Sequence, residues 1–295
     1  MSDYSVKFQN GNAIITGLCH FDPQKVFDCG QCFNFEPSPI GGFCGVVGKK
    51  VIRVERNDPD TVTIYNTDQQ DFEKISAYLC LDDDYHEICK DIISSMEKNG
   101  VDTKIISQAM SEGEGIRLMK QDKWESLCSF IISQNNNIPR IKKIIATMCK
   151  KYGEEFTYQE NKYYTFPSPN SLVQAGIDDI FECKTGFRAK YIYDAAQKVV
   201  NREIDLEKID NMSTDEAMAE LMKIKGVGPK VASCVLLFGY GKKDAFPIDV
   251  WVKKVLSKYY NEKFDHKLMG QYSGIAQQYL FYYERYLTDK NIISN

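Results

Sequence analysis

The first 66 residues alternate between apolar and polar positions with a period of two, which is typical of half-buried β-strands. Gly, Asn and Pro residues separate the alternating or β-branched segments, as turns do between strands. The predicted strands are residues 5–8, 13–15, 43–47, 51–54 and 62–65. Because short turns join these segments, they predict an antiparallel sheet.

After the last of these strands, the apolar spacing changes to the longer period of amphipathic helices. Residues 71–81 and 85–96 fit this period, and from residue 104 onward the pattern is nearly all helical. The sequence therefore predicts an α+β fold, in which an N-terminal antiparallel β-sheet domain (residues 1–100) precedes an all-helical domain (residues 101–295).

A capping box marks the start of one helix in the second half of the chain. Ser213 is followed three residues later by Glu216, a pattern in which each residue satisfies a free backbone N–H of the other. The apolar residues that follow recur at helical spacing, so this helix is predicted to end near Ile224.

A glycine-rich turn follows and opens a second helix, which completes a helix-hairpin-helix motif. Gly226 and Gly228 flank Val227 and allow a tight turn, and Pro229 suits the first turn of a helix. Backbone amides at such a helix start attract a phosphate, so the turn predicts contact with a nucleic-acid backbone.

Lys230 and Asp249 are the candidate catalytic residues. Lys230 follows the turn directly, where its amine could serve as a nucleophile, and Cys234 lies one turn further along the same helix face. Asp249 precedes another predicted helix, so both side chains could face one pocket. Their simpler interpretations are a phosphate contact for Lys230 and a helix N-cap for Asp249.

Charge and cysteine content narrow the function classes. The formal net charge is −4, yet residues 115–151 carry eight basic against two acidic residues, and residues 223–254 carry seven against two. These two basic stretches predict a local nucleic-acid surface rather than solvated helix faces alone. No export signal is expected at the N-terminus, so the ten cysteines are expected to be reduced. Cys29 and Cys32 form a single C-x-x-C pair, and without a second pair at zinc-like spacing a zinc site is not expected.

The chain resembles an 8-oxoguanine DNA glycosylase of the helix-hairpin-helix superfamily. An Asn triplet that interrupts a helical pattern, together with the Lys and Asp described above, makes the resemblance specific. The matching segments are residues 27–33, 115–118, 133–141 and 186–191, the pair Lys230 and Asp249, and residues 274–281. An iron–sulfur loop of the kind found in related enzymes is excluded, since no cysteine follows Cys234.

The resemblance implies a role for each residue of the lesion pocket. Lys230 is the expected nucleophile, and Asp249 stabilises positive charge at the sugar. The carbonyl of Gly30 is expected to accept the N7–H that oxidised guanine has and guanine lacks. Gln277 is expected to pair with the purine edge, and Phe281 with Cys234 to enclose the base.

For DNA binding, the resemblance implies that Asn135 fills the gap left by the flipped base. Arg140 and Arg188 are expected to donate to the orphaned cytosine, and Phe187 to act as a wedge beside it. The hairpin residues Gly226, Val227 and Gly228 are expected to hold a phosphate, for which a bound cation could serve as the bridge. No other cofactor or metal is expected.

The implied activity is excision of 8-oxoguanine from duplex DNA, preferably opposite cytosine, followed by strand nicking through a lysine Schiff base. The expected protein is a monomer that does not bind membranes and acts in the cytoplasm of a bacterium or the nucleus of a eukaryote. The family usually has Ser at Cys32, Tyr at Phe187 and His at Trp251. The alternatives are a glycosylase for another lesion and a non-catalytic DNA-binding protein.

Overall fold

The computed structural model describes residues 4–261 and 264–293, and its N-terminal part is a six-stranded antiparallel sheet in the order β1-β2-β6-β5-β4-β3. The strands are β1 (Ser5–Gln9), β2 (Asn12–Thr16), β3 (Phe35–Pro37), β4 (Phe43–Val47), β5 (Lys50–Asp58) and β6 (Thr61–Tyr65). The five predicted strands are confirmed. Strand β3 was not predicted, because three residues ending in Pro are too short to show a period.

One face of the sheet packs on two helices. Helix α1 (Pro23–Asp28) begins after the N-cap Asp22, and helix α2 (Gln69–Leu79) begins after the N-cap Asp68. The strand residues Ile15, Ile52 and Ile64 are fully buried in a core that they share with both helices. The loop after α1 carries the predicted pocket residue Gly30. Because α1 is packed in this core, the start of the loop is held in place.

The remaining helices build a second core, and the predicted helical region is confirmed. They are α3 (Tyr85–Lys98), α4 (Lys104–Glu112), α5 (Lys123–Ser133), α6 (Ile138–Tyr152), α7 (Pro169–Ile180), α8 (Ala189–Val200), α9 (Thr214–Leu221), α10 (Pro229–Gly239), α11 (Val250–Tyr259) and α12 (Ser273–Ile293). Helix α3 precedes residue 100 but packs within this helical core, and the domain boundary stays a prediction.

Helices α5 and α10 pack against each other at the centre of the helical core. Every residue of α10 from Val231 to Gly239 is buried, as expected for a helix that is apolar on all sides. The first turn of α10, which carries Lys230, is therefore held by a rigid core.

A short β-hairpin interrupts the helical region. Strands β7 (Glu155–Tyr158) and β8 (Asn161–Tyr164) pair through Gln159 and Glu160, which both have positive φ, as hairpin turns require. The prediction of nearly continuous helix after residue 104 missed this hairpin. The last helix, α12, begins at Ser273, because Gly270 (φ +80°) breaks the preceding 3₁₀ segment. Within the described residues, no helix is long and apolar enough to cross a membrane.

Candidate active site and DNA-binding surface

The predicted helix-hairpin-helix is present and begins with a complete capping box. The backbone N–H of Ser213 donates to Glu216 Oε2 at 2.9 Å, and the N–H of Glu216 donates to Ser213 Oγ at 3.3 Å. Helix α9 ends at Leu221, and a further turn closes with the Ile224 N–H donating to the Leu221 carbonyl.

The hairpin turn docks tightly on helix α8. Gly226 has φ +78°, and a Cβ at this position would lie 2.3 Å from the Tyr191 ring. Asp194 of α8 accepts from the Lys225 N–H at 2.9 Å and so fixes the start of the turn. Gly228, the N-cap of α10, has nothing within 4 Å of an added Cβ and lies at the open side. Close packing on one side leaves the other side free for a ligand.

The amides of the turn are only partly available. Val227 is buried, and its N–H already donates to the Ile224 carbonyl at 3.1 Å. The N–H groups of Gly226 and Gly228 have no acceptor among the residues that the structure describes. The turn can therefore offer these two amides to a phosphate.

Lys230 is the second residue of α10 and is partly buried. Its Nζ lies 3.4 Å from Ser133 Oγ at the end of α5, and 5.8 Å from the centre of the Phe130 ring. Among the side chains that the structure describes, no carboxylate forms an ion pair with this amine. The neighbours of Nζ are thus the Ser133 hydroxyl, the Phe130 ring and the Cys234 thiol.

Asp249 is the N-cap of α11. Its Oδ1 accepts from the backbone N–H of Trp251 at 3.0 Å and of Val252 at 2.8 Å. No described donor reaches Oδ2, so one carboxylate oxygen caps the helix while the other remains available. The predicted capping role and a catalytic role are therefore compatible in one side chain.

A cavity of about 360 Å³ brings together all six residues predicted for the lesion pocket. Lys230 and Cys234 come from α10, Asp249 from the start of α11, and Gln277 and Phe281 from α12. Gly30 comes from the loop after α1, at the opposite end of the chain. The cavity is also lined by residues for which no role was predicted, namely Phe33, Phe130, Ser133, Ile138, Trp251, Gln278 and Arg285.

Some of these additional residues had a signal in the sequence. Arg285 lies four residues after Phe281, and Phe281 four after Gln277, so helical spacing places all three on one face of α12. Gln278 could not be found in this way, because its role depends on the distant loop at Gly30. Ser133 precedes the Asn triplet, but only the packing of α5 on α10 brings it to Lys230.

The cavity wall contains buried polar groups that suit a heterocyclic ligand. Gln277 is 3% exposed, and no donor in the described part of the chain reaches its Oε1. Such a buried, unpaired acceptor is costly unless a ligand satisfies it. Burial raises the pKa of the Cys234 thiol; nearby Asp249 adds to this effect, while Lys230 opposes it. At neutral pH, Cys234 therefore offers a neutral, polarisable surface.

Gly30 forms another part of the cavity wall, with φ +86°. A Cβ at Gly30 would lie 3.5 Å from Ile138 and 3.7 Å from the Phe281 ring, so its backbone stands between these side chains. The Gly30 carbonyl accepts from no donor among the described residues. Its role as the acceptor of an N7–H stays a prediction.

The Asn triplet forms a bend between α5 and α6. Asn137 caps α6 by accepting from the Arg140 N–H at 3.0 Å. Asn136 donates to the Ile132 carbonyl at 3.1 Å. Asn135 has φ +48° and is exposed, and its side chain has no partner among the described residues. Only the first Asn of the triplet is thus free to enter DNA.

The two predicted cytosine-binding arginines differ in their surroundings. Arg188 is buried and donates to the carbonyls of Thr185 at 3.1 Å, Gln134 at 2.8 Å and Asn135 at 2.9 Å. Burial lowers the pKa of Arg188, and the nearby charge of Arg140 lowers it further. Arg140 is exposed, and its guanidinium has no partner in the described ranges. Arg188 therefore supports the Asn bend, while Arg140 is free.

Phe187 is the exposed aromatic residue of this surface. Its ring is 49% exposed, lies 4.4 Å from the Arg188 guanidinium and meets Tyr191 edge-on at 6.0 Å. It therefore stands beside both the Asn bend and the hairpin, where a flat apolar face can contact a base.

A larger cavity, of about 920 Å³, lies between the sheet and helices α5 and α6. It contains none of the residues predicted for catalysis or binding. Its polar lining includes Glu125, whose pKa is raised to about 8 by burial and by Asp122. The smaller cavity is the candidate active site, because it alone combines the amine, the free carboxylate oxygen and the unpaired amide among the described residues.

Comparisons with known proteins show the family to which the chain belongs. Two family models match adjacent parts of the chain: "8-oxoguanine DNA glycosylase, N-terminal domain" over residues 13–127 and "HhH-GPD superfamily base excision DNA repair protein" over residues 128–271. An N-glycosylase/DNA lyase of Saccharomyces cerevisiae is 36% identical over 50% of this chain and 42% of its own length.

Two solved structures cover almost the whole chain. MBOgg1, in complex with a low-affinity DNA ligand, is 40% identical and has a TM-score of 0.89, with coverage of 97% of this chain and 99% of its own. The 8-oxoguanine glycosylase/lyase of Clostridium acetobutylicum, bound to DNA with cytosine opposite 8-oxoguanine, is 37% identical, with a TM-score of 0.89 and coverage of 98% and 100%. The protein therefore belongs to the 8-oxoguanine DNA glycosylases, a family of DNA glycosylases with AP lyase activity in the HhH-GPD superfamily.

Proposed function

We propose that the protein binds duplex DNA containing 8-oxoguanine opposite cytosine, flips the damaged nucleotide, excises the base and nicks the strand. The observation that carries this proposal is the convergence of Lys230, Asp249, Gly30 and Gln277 on one cavity from distant parts of the chain. The cavity volume of about 360 Å³ is sufficient for a purine base. The enzyme acts as a monomer inside the cell, where its substrate is.

In the proposed chemistry, Nζ of Lys230 attacks C1′ of the flipped nucleotide. The C1′–N9 bond breaks with its electron pair going to the base, and the amine loses a proton as the new C–N bond forms. Opening of the sugar ring then gives a Schiff base between Lys230 and C1′. Loss of a proton from C2′ expels the 3′-phosphate, which nicks the strand by β-elimination.

Asp249 supports this step electrostatically. Positive charge develops on the sugar as the glycosidic bond breaks, and a fixed carboxylate nearby stabilises it. Because Oδ1 of Asp249 is bound by two backbone N–H groups, the carboxylate is held in one orientation, with Oδ2 free for the sugar or a proton. This arrangement needs no rearrangement of the helix when the substrate binds.

Base recognition uses the wall at Gly30 and α12. The Gly30 carbonyl accepts the N7–H of 8-oxoguanine, whereas N7 of guanine would place a second acceptor against it. Gln277 pairs with the Watson–Crick edge, which satisfies its buried Oε1. Phe281 and the neutral Cys234 contact the two faces of the ring.

DNA is held on the surface formed by the Asn bend and the hairpin. Asn135 occupies the vacated position in the stack, Phe187 contacts the neighbouring bases, and Gly226 and Gly228 bind a phosphate, directly or through a cation. Arg140 donates freely to the orphaned cytosine. Arg188 already uses four of its five N–H groups on protein carbonyls, two of them on Gln134, so it contributes at most one to the base.

Borohydride trapping tests the proposal. The parent protein is incubated with a duplex carrying one 8-oxoguanine opposite cytosine, next to Lys230→Gln and the control Lys74→Gln, which lies outside the active-site cavity. We expect a covalent protein–DNA adduct with the parent and the control, and none with Lys230→Gln.

Each other result has a defined meaning. An adduct with Lys230→Gln would show that another group is the nucleophile. A parent that traps an abasic site but not the 8-oxoguanine duplex would be a lyase for a different lesion. A parent that binds DNA without trapping either substrate would be a non-catalytic DNA-binding protein.

A further inference from the structure

The backbone at Gly30 has unusual freedom at the point where the cavity needs a fixed acceptor. A glycine at φ +86° has no Cβ to restrict it, so its own φ and ψ can change at little steric cost. Rotation of the peptide that joins Gly30 to Gln31 would turn the Gly30 carbonyl away from the cavity and present the Gln31 N–H instead. The loop therefore requires anchors outside itself.

The first anchor is the side chain of Gln31, which is completely buried. Its Nε2 donates to the carbonyls of Val26 and Arg117, both at 2.8 Å, and its Oε1 accepts from the Met119 N–H at 2.9 Å. Its backbone carbonyl accepts from Gln121 Nε2 at 2.7 Å. Gln31 is thus held through its side chain and its own carbonyl, so the Gly30–Gln31 peptide can rotate only if the φ of Gln31, a buried residue with a Cβ, changes as well.

The second anchor is Gln278, which comes from the opposite end of the chain. Its Nε2 donates to the carbonyl of Cys29 at 3.0 Å, and the side chain is 3% exposed. Gln277 precedes it on α12 and lines the cavity. Of these two adjacent glutamines, Gln277 can therefore contact a ligand, while Gln278 binds the loop at Gly30. The carbonyls before and after that of Gly30 are therefore both fixed by buried amide donors.

We propose that Gln31 and Gln278 are positioning residues that lock the Gly30 carbonyl toward the cavity and thereby set the discrimination between 8-oxoguanine and guanine. The proposal rests on the proposed function. With the lock in place, guanine N7 faces an acceptor. Without it, the peptide can flip, and the Gln31 N–H can pair with N7 of ordinary guanine. Loss of an anchor should therefore weaken lesion binding and strengthen guanine binding together.

The test uses Gln278→Met, which keeps the size of the side chain and removes its donor. We expect single-turnover excision of 8-oxoguanine to fall about tenfold, which is the loss of about one hydrogen bond. The ratio of affinities for 8-oxoguanine and guanine duplexes should fall by at least the same factor. Cleavage of a preformed abasic site, which contains no base to recognise, should stay within about twofold of the parent.

Trp124→Phe is the matched control, because it also removes one buried side-chain donor to a carbonyl, that of Pro167 at 2.8 Å, away from the active-site cavity. It should lose stability without changing the affinity ratio. Equal losses of excision and abasic-site cleavage in Gln278→Met would overturn the proposal, since the residue would then only support the fold.

A second measurement separates this proposal from the proposed substrate. Amide hydrogen exchange of residues 28–33 in the free protein should be faster in Gln278→Met than in the parent and in Trp124→Phe. If the exchange rates of residues 28–33 are the same in Gln278→Met and in the parent, Gln278 does not hold the loop in place, and the proposal is wrong for any substrate. Failure of the parent itself to excise 8-oxoguanine would instead overturn the proposed function.

Discussion

The two walls of the active-site cavity are built by different kinds of interaction. The wall that carries Lys230 and Asp249 depends on short-range features, with Pro229 in the first turn of α10 and Asp249 bonded to the N–H groups two and three residues ahead. The wall that carries Gly30 depends on hydrogen bonds between residues that are far apart in sequence. Gln31 and Arg117 are separated by 86 positions, and Cys29 and Gln278 by 249 positions. Local backbone rules thus place the candidate catalytic residues, and tertiary packing places the loop that we propose to recognise the base.

This difference predicts how each wall responds to substitution. On the Lys230 wall, a change of charge should alter the rate while the shape persists, because helix caps keep the backbone in place. On the Gly30 wall, a small change of shape should alter selectivity while the nucleophile continues to work.

The largest effect is expected for Asp249→Asn. Asn is as good an N-cap as Asp, so the free energy of unfolding should change by less than about 0.5 kcal/mol. Loss of the negative charge beside the sugar should lower excision on the order of 10² to 10³-fold. Urea unfolding and single-turnover excision measure the two quantities.

Asp249→Ala is the comparison, because it removes the cap as well as the charge. It should show the same loss of rate and an additional loss of about 1 kcal/mol in stability. Full activity of Asp249→Asn would mean that Asp249 serves only as a cap.

A pair of glycine substitutions tests how strictly the hairpin backbone is fixed. Gly226→Ala places a methyl group 2.3 Å from the Tyr191 ring in a left-handed conformation, and we expect a loss of about 3 kcal/mol in stability. Gly228→Ala meets nothing within 4 Å at a φ of −101°, so its loss should be about 0.5 kcal/mol. Thermal unfolding compares them, and equal losses would show that the turn is not anchored on Tyr191.

The same division explains which parts of the fold the sequence could predict. The strands alternate because one face of the sheet is buried, and the capping box at Ser213 is a local signal, so both were predicted. The hairpin at residues 155–164 was missed because its aromatic residues fit a helical pattern as well as a short strand. Its signal is in the turn, where Gln159 and Glu160 are not typical residues at positive φ.

For the site, the sequence and the family resemblance supplied the residues that now share one cavity. They did not supply Gln31 or Gln278 as anchors, since a buried glutamine has no periodic signature and its partners lie far away in the chain. They also did not separate Arg140 from Arg188, because only the packed structure shows which guanidinium is already bound to carbonyls. Tertiary hydrogen bonds are the part that a linear pattern does not encode.

Gly30→Ala tests the recognition wall directly. The methyl group would enter the cavity between Ile138 and Phe281 at ordinary contact distances, but φ +86° strains an Ala by about 1 kcal/mol. We expect excision of 8-oxoguanine to fall at least about tenfold, since the base and the carbonyl can no longer approach closely. Abasic-site cleavage through Lys230 should remain, and its parallel loss would show that the two walls are not independent.

The smallest effect concerns the pH dependence of the loop that carries Gly30. Burial raises the pKa of the Cys29 thiol to about 11, from 9.0, although hydrogen bonds from the backbone N–H of Gln31 and from the Gln278 side chain oppose the shift. The unfolded chain therefore loses this proton first as the pH rises, so stability should be lost between about pH 9 and 11. At pH 10, ionisation of this thiol in the unfolded chain should lower the free energy of unfolding by about 1 kcal/mol.

Cys29→Ser isolates this contribution, because a hydroxyl can keep the hydrogen bond that Cys29 Sγ donates to the Val26 carbonyl and does not ionise in this range. Urea unfolding gives the difference in the free energy of unfolding between the variant and the parent. Between pH 7 and pH 10, this difference should change by about 1 kcal/mol in favour of the variant. If the difference in the free energy of unfolding is independent of pH, water reaches the Cys29 thiol. The loop that carries Gly30 would then not be supported by a buried residue at this position.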